Sequence, residues 1–180
     1  YALELTHPDL LWVFPRQRPK DSDPSLKEVR EDYAEAIAER VADHGLYAPG
    51  TGSEGIFVAS VRAIVQAAAL SPAIGRRKVF VIGDAERMVP QTGTEHAANA
   101  FLKLLEVPPA NTTLILTSSE PGGLLPTIRS RVVSVAVPLV SDDAVRAFVE
   151  DPAVQAALRE DGKVASVQEL VRTAAGAPGR

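Results

Sequence analysis

Apolar and polar positions along the chain follow two periods. Residues 10–14 (LLWVF), 78–82 (KVFVI), 112–118 (TTLILTS) and 132–137 (VVSVAV) are short apolar runs rich in β-branched side chains, and they predict buried strands. Between the first two, Leu26, Val29, Tyr33, Ile37 and Val41 recur at spacings of three and four behind the capping box Ser25-Leu26-Lys27-Glu28. This predicts a helix over about 25–44, stopped by Gly45, with residues 49–55 as a flexible return. Ile56 to Val58 reads as a strand-like entry to a second helix, whose face is Val61, Ile64, Val65 and Ala68 and which ends before Ser71-Pro72. A third helix carries Ala97, Phe101, Leu104 and Leu105 on one side. Val107-Pro108-Pro109 stops it, because proline donates no amide and disfavours helix in the residue before it. Strands alternating with helices predict an α/β fold with a parallel sheet over residues 1–138. Beyond Pro138 the pattern changes. Ser141-Asp142-Asp143 caps one helix, Pro152 opens another, and the capping box Ser166-Val167-Gln168-Glu169 precedes Leu170, Val171 and Ala174, so 139–180 is expected to be all-helical.

Polar groups gather where two strands end. Gly83, Asp84, Ala85 and Glu86 follow the strand at 78–82, and the strand at 112–118 closes on hydroxyls. The segment EPGGLLPTIRSR then turns back and finishes on Arg129, Ser130 and Arg131. Such a crevice beyond the carboxyl ends of parallel strands is where open α/β sheets hold ligands.

Composition narrows the classes. A hydrophobic fraction of 46% and a charged fraction of 23% are those of a globular chain. With a net charge of −4 and a pI near 5.4, no bulk attraction to nucleic acid follows. Any DNA contact would use a local basic edge or backbone amides, with Arg62, Arg76 and Arg77 as the candidate side chains; the other reading of Arg62 is a surface arginine, and of Arg76 and Arg77 a solvated turn. The acidic positions Glu28, Glu31, Asp32, Glu35 and Glu39 form either a partner surface or a solvated helix face. There is no cysteine, hence no disulfide or thiolate metal site, and His7 beside Asp9, with no second His or Cys nearby, reads as a turn residue. The apolar runs are too short to span a membrane, and no secretory pattern opens the chain.

The order strand, acidic turn, NAFLKLLEVPP, strand, TSSEPGGLLPTIRSR resembles the AAA+ clamp-loader subunits of bacterial DNA polymerase III. The resemblance implies an AAA+ P-loop NTPase-type core with a parallel sheet, an inserted helix at about 25–44, and the start of an all-α lid domain from 139. By the same resemblance the strand at 78–82 and its acidic turn correspond to Walker B, and Ser118 to the sensor 1 hydroxyl. Ser130-Arg131 is similar to the Ser-Arg-Cys motif that carries an arginine finger, with Val132 replacing cysteine. AAGAPGR is similar to the sensor 2 segment, which puts Arg180 at the sensor 2 arginine. The pattern I-x-V-x-x-V-R at 56–62 is similar to a family motif whose helix start faces DNA, with Ala59 in place of an aspartate. The family also carries a P-loop, a four-cysteine zinc module and a collar domain. No Gly-x4-Gly-Lys-Ser/Thr occurs in these residues, so the chain is expected to be a fragment lacking all three. No cofactor is then expected on it: ATP and magnesium would sit at the neighbouring subunit, and zinc in the upstream module.

The acidic turn departs from the family. One alignment puts Gly83 at the magnesium-binding aspartate and Asp84 at the catalytic glutamate, one methylene short, about 1.5 Å. Sliding the frame makes Asp84 the metal ligand and replaces the catalytic acid by Ala85. Either frame implies a poor ATPase; alternatively Asp84 only caps the following segment. Arg131, acting in trans on a neighbour's ATP, needs no intact site of its own. The other reading is an arginine paired with a local carboxylate. Three functions follow: a delta prime-type subunit, largely non-catalytic and contributing a finger; the gamma/tau ATPase motor; or an unrelated nucleotide-binding α/β domain. The first is expected, as a cytoplasmic component of the DNA polymerase III holoenzyme, a DNA-directed polymerase and so a transferase, without ATPase activity of its own. Its partners would be the delta and gamma/tau subunits and, indirectly, the sliding clamp and primed DNA, with no membrane.

Overall fold

Three of the four apolar runs pair as one parallel sheet. Strands β1 (Leu10–Val13), β2 (Lys78–Ile82) and β3 (Thr112–Leu116) lie in the order β1-β2-β3, with Leu10 opposite Val79 and Lys78 opposite Thr112. The structure is a computed structural model that describes residues 7–18, 23–42, 54–88, 95–160 and 165–177. The described residues fall into two units, 7–39 with 54–133 and 40–42 with 134–177.

In the first unit, Lys78, Phe80 and Ile82 are buried and alternate with half-covered Val79 and Val81, the period of a strand packed on both faces. Helix α1 (Leu26–Ala42) starts at the expected box, with the Ser25 amide donating to Glu28 Oε2 at 2.7 Å and the Glu28 amide to Ser25 Oγ at 3.3 Å. It buries Val29, Tyr33, Ala36 and Ile37. The predicted stripe stops there, since Val41 is 44% exposed; the expected stop at Gly45 and most of 49–55 lie outside the described residues. The Tyr33 hydroxyl lies 3.0 Å from the Phe14 carbonyl and 2.9 Å from Ser60 Oγ, so α1 is tied to the end of β1 and to helix α2 (Val58–Ala69). Burial pushes that phenol up to about 12, which keeps it neutral and a donor. Ile56 pairs with Met88 in a short parallel bridge, and α2 begins two residues later. Helix α3 (Glu95–Glu106) packs against α2 and buries Phe101, Leu104 and Leu105. The side chain of Ala97, expected on the same face, lies outside the described ones.

Two buried charges lock the amino-terminal edge of the sheet. The Lys78 ammonium donates to the carbonyls of Ala67 at 2.6 Å, Ala68 at 2.8 Å and Leu70, the orphan acceptors at the end of α2. Asp9 accepts from the amides of Ala73, Ile74 (2.9 Å) and Gly75 (2.6 Å), fastening the link between α2 and β2. His7 serves the turn before β1, its Nδ1 accepting from the Asp9 amide at 3.1 Å.

The run at 132–137, expected as a core strand, is not one. Val132 packs against the core, but Val133, Val135 and Val137 are 92%, 81% and 90% exposed. Strand propensity expresses packing against neighbours, and no described strand lies beside this run. From Ser141 on, the described elements are helices: α5 (Asp142–Val149), α6 (Pro152–Glu160) and α7 (Val167–Ala174), after the short α4 (Pro126–Arg129) of the first unit. Ser141 and Ser166 cap as expected, the latter in a full capping box. Val145, Val149, Val171 and Ala174 form the second unit's own core. Gly176 ends α7 at φ +80°; a Cβ there would meet Leu139 Cβ at 2.7 Å and the Val140 carbonyl at 2.8 Å, so the position requires glycine. No described helix is long and apolar enough to cross a membrane.

Two outcomes test this scaffold. Tyr33→Phe removes the hydroxyl that anchors α1 and is expected to cost about 1–2 kcal/mol in urea unfolding. The amides of Gly75, Ala73 and Ile74, with His7, hold the Asp9 carboxyl down to about 2 against the opposing pull of burial. Its folded value lies below the unfolded one of about 3.9, so its stabilisation is complete above that value and is lost as pH falls through about 2. Asp9→Asn should therefore melt lower than wild type at neutral pH, and the gap should narrow between about pH 4 and pH 2 in thermal scans.

Candidate functional site

The carboxyl ends of β2 and β3 are laced together by their turns. The Thr117 amide donates to the Ile82 carbonyl at 2.8 Å, and the Ala85 amide returns to the Thr117 carbonyl at 2.9 Å. The Asp84 amide reaches Thr117 Oγ1 at 3.4 Å. A 3-10 turn at Ala85–Arg87 then turns Glu86 toward the loop after β3, where its Oε1 accepts from the Ser119 amide at 3.2 Å and the Ser119 hydroxyl at 3.1 Å. Burial raises the Glu86 carboxyl, but the amides of Glu86 and Ser119 and the hydroxyls of Ser118 and Ser119 outweigh it and hold the group below its ordinary value. Its second oxygen is buried with no hydrogen-bond partner. Ser118 is half-buried in the same turn and accepts from the Glu120 amide at 3.2 Å.

Gly83 donates its amide to the Val13 carbonyl at 2.8 Å and lies tight against β1. A Cβ at this position would stand 3.2 Å from Trp12 Nε1, a tight contact, and 3.4 Å from Phe14 Cβ, at ordinary van der Waals distance. Position 83 therefore offers backbone alone. Asp84 takes the left-handed conformation, φ 48° and ψ 53°, which aspartate tolerates better than most residues. Its side chain makes no capping bond to the 3-10 turn, contrary to the reading of Asp84 as a cap. Among the described residues no group of three or more His, Cys, Asp or Glu side chains comes together to hold a metal ion.

Arg131 closes the segment that leaves β3. After the 3-10 turn Pro121–Gly123 and α4, its amide donates to the Ile128 carbonyl at 2.9 Å. Its guanidinium is held: Nη1 donates to the Thr127 carbonyl at 2.9 Å and Ser130 Oγ at 3.3 Å, and Nη2 pairs with Glu106 Oε1 at 3.3 Å. Nε is buried with no partner. The pairing with a local carboxylate, one of the two readings of this arginine, is present in the chain by itself.

The remaining sequence-derived positions separate. Arg62, on the first turns of α2, is paired with Asp23. Arg76 and Arg77 are exposed in the turn leading into β2, at the opposite end of the sheet from the Glu86–Ser119 crevice. Arg180 lies outside the described residues. Sequence reasoning placed Glu86 in the acidic turn but gave it no role, and it gave Glu106 none either. Glu86 lies inside the 3-10 turn that points it at Ser119, whereas Asp84 precedes that turn, and Glu106 reaches its partner 25 residues on through the packing of α3 against α4.

Comparison with known proteins adds the following. A family model described as DNA polymerase III, delta subunit, matches residues 2–140. The DNA polymerase III subunit delta' of Pseudomonas aeruginosa is 38% identical over 116 residues, 62% of this chain and 34% of that protein. The subunit delta' of Escherichia coli is 38% identical over 89 residues, 49% of this chain and 25% of that protein. The DNA polymerase III subunit gamma/tau of Mycobacterium bovis is 32% identical over 108 residues, 60% of this chain and 18% of that protein. The matched stretch spans 34% or less of each of these curated relatives.

The crevice makes one prediction independent of function. Glu86→Ala removes the carboxylate that ties the two strand-end turns together. It should lower stability by about 1 kcal/mol and speed hydrogen exchange at the Ser119 amide, read by NMR, while the amides of β2 stay protected. Unchanged protection at Ser119 would show that the turn holds without it.

Proposed function

The chain belongs to the DNA polymerase III, delta subunit family, and on that premise we propose that it acts as a delta prime-type subunit of a clamp loader. In this reading it is a largely non-catalytic member of the assembly that places a sliding clamp on primed DNA. The observation that carries the reading is the packing at Gly83. A motor subunit needs a carboxylate at the end of this strand to hold magnesium and a second to position the attacking water. Position 83 has no side chain, and a Cβ there would press on Trp12 Nε1 at 3.2 Å. Of the two acids in the strand-end turn, Asp84 sits on a left-handed corner and Glu86 is bound to the Ser119 turn. The gamma/tau match at 32% identity favours the motor as a second reading, and the missing carboxylate at 83 weighs against it.

The proposal gives Arg131 the role of a finger for ATP bound by a neighbouring subunit, which supplies the phosphates and magnesium. A guanidinium offers a permanent charge and paired donors to a phosphate, which an ammonium does not. Arg131 follows the crevice in the turn just beyond a short helix, and its side chain is 28% exposed. Ser118 takes the sensor 1 position and Arg180 the sensor 2 position in the same scheme. Arg62, Arg76 and Arg77 stand as phosphate contacts for DNA, the last two supported by their exposure. The helices from Asp142 on serve as the start of a lid, and the assembly with delta and gamma/tau works in the cytoplasm.

The test is the steady-state ATPase of a reconstituted loader with clamp and primed DNA. In the full-length subunit, Arg131→Ala should slow turnover at the ATP site it serves by about a thousandfold or more and depress clamp loading with it. The subunit's own unfolding should shift by about 1 kcal/mol, since the ion pair is partly exposed and its carboxylate is open to solvent. Arg131→Lys should restore only part of the rate. Wild-type turnover from the alanine complex would sink the finger assignment.

A further inference from the structure

The contacts of Arg131 point to a residue that governs when it is free. Of its three nitrogens, Nη1 is satisfied by its own helical turn, through the Thr127 carbonyl and Ser130 Oγ. Nη2 is held by one oxygen of Glu106 at 3.3 Å, at the last position of α3. Nε has no partner and no access to solvent. A phosphate needs two parallel donors of the guanidinium fork. In this arrangement the guanidinium cannot offer two free parallel donors without changing its contacts: Nη1 already donates to Thr127 and Ser130, Nε is covered, and Nη2, with two N–H groups, has the Glu106 carboxylate beside it. The side chain must leave this position before it can grip a phosphate, and what it leaves is a single-oxygen ion pair whose carboxylate is 56% exposed. Pairs of that kind are weak and exchangeable.

We propose that Glu106 parks Arg131, competing with the neighbour's phosphate for the guanidinium, so that the arginine is released only when a more highly charged oxyanion takes the carboxylate's place. Glu106 is a positioning residue, since it acts through Arg131. The inference rests on the finger reading above. Two features support parking over orientation for attack. The pair leaves Nε covered, and a carboxylate on the donor edge blocks the approach of another anion rather than guiding it.

The variant that isolates the effect is Glu106→Gln, which keeps size and exposure and removes the charge. In the reconstituted loader with clamp and primed DNA, ATPase is measured against ATP concentration for wild type, Glu106→Gln, Arg131→Ala and the double variant. The expected result is a fall of about two- to fivefold in the half-saturating ATP concentration for Glu106→Gln, the scale of an exposed ion pair. No such fall is expected when Arg131 is already alanine. A maximal rate that drops toward the Arg131→Ala value would overturn parking and make Glu106 an orienting group. An unchanged half-saturating concentration would overturn it as well, and so would an effect that persists without Arg131, which would trace to the carboxylate's own charge near the phosphate. If Arg131→Ala alone leaves turnover at wild type, it is the finger reading that has failed, and the parking role falls with it.

Discussion

A lysine ammonium buried at the first residue of the central strand constrains the rest of the α/β unit. Lys78 is 5% exposed and donates into three carbonyls at the end of α2, while Asp9 gathers three amides of the link that follows that helix. Burial lowers the lysine's affinity for its proton, and the nearby Asp9 charge opposes that shift. Neither charge has bulk water to fall back on, so each is tolerable only with its ligands in place. Together they fix where β2 begins relative to α2 and β1. Register follows: the Val79 amide donates to the Asp9 carbonyl and the Lys78 amide to the Asn111 carbonyl, both at 2.8 Å. A slip of one residue would send Phe80 and Ile82 to the wrong face and Lys78 out of its cradle.

Fixing the start of β2 at Lys78 also fixes its end at Ile82. The strand-end turns meet through backbone bonds between 82–85 and 117, and the geometry leaves a different role to each of three residues in the turn. Gly83 is spent on packing against Trp12 and Phe14, Asp84 on the left-handed corner, and Glu86 on the Ser119 turn across the crevice. A strand end committed in this way to structure has no carboxylate free at position 83, which agrees with a subunit that assists chemistry elsewhere. Arg131 lies in the turn just beyond the short helix α4 and is linked to the rest of the unit by Glu106 and by its own turn, so its side-chain contacts are made outside the sheet.

Most of the architecture was legible because it is written in local periods. Alternation marked β2 to the residue, Ser-x-x-Glu boxes marked the starts of α1 and α7, and the Val107-Pro108-Pro109 stop marked the end of α3. The exception at 132–137 has the same local signal as the true strands. Its valines remain exposed because a strand is completed by a neighbour, and a run of β-branched residues does not say whether one is present. Val41 departs in the same way: the helical spacing was right, and it is left 44% exposed.

The sequence by itself determined the class of fold, the order of strands and helices, the caps, and the family, since each of these depends on residues close together along the chain or on runs such as NAFLKLLEVPP and LLPTIRSR that need no spatial context. Tertiary structure decided what those residues do to one another. It chose Glu86 over Asp84 as the partner of Ser119, gave Gly83 to Trp12, buried Lys78 under the end of α2, and set Glu106 against Arg131. Each of these is a contact of a few ångströms between positions far apart in the chain, and a hydrogen bond or ion pair exists only when folding brings donor and acceptor within reach.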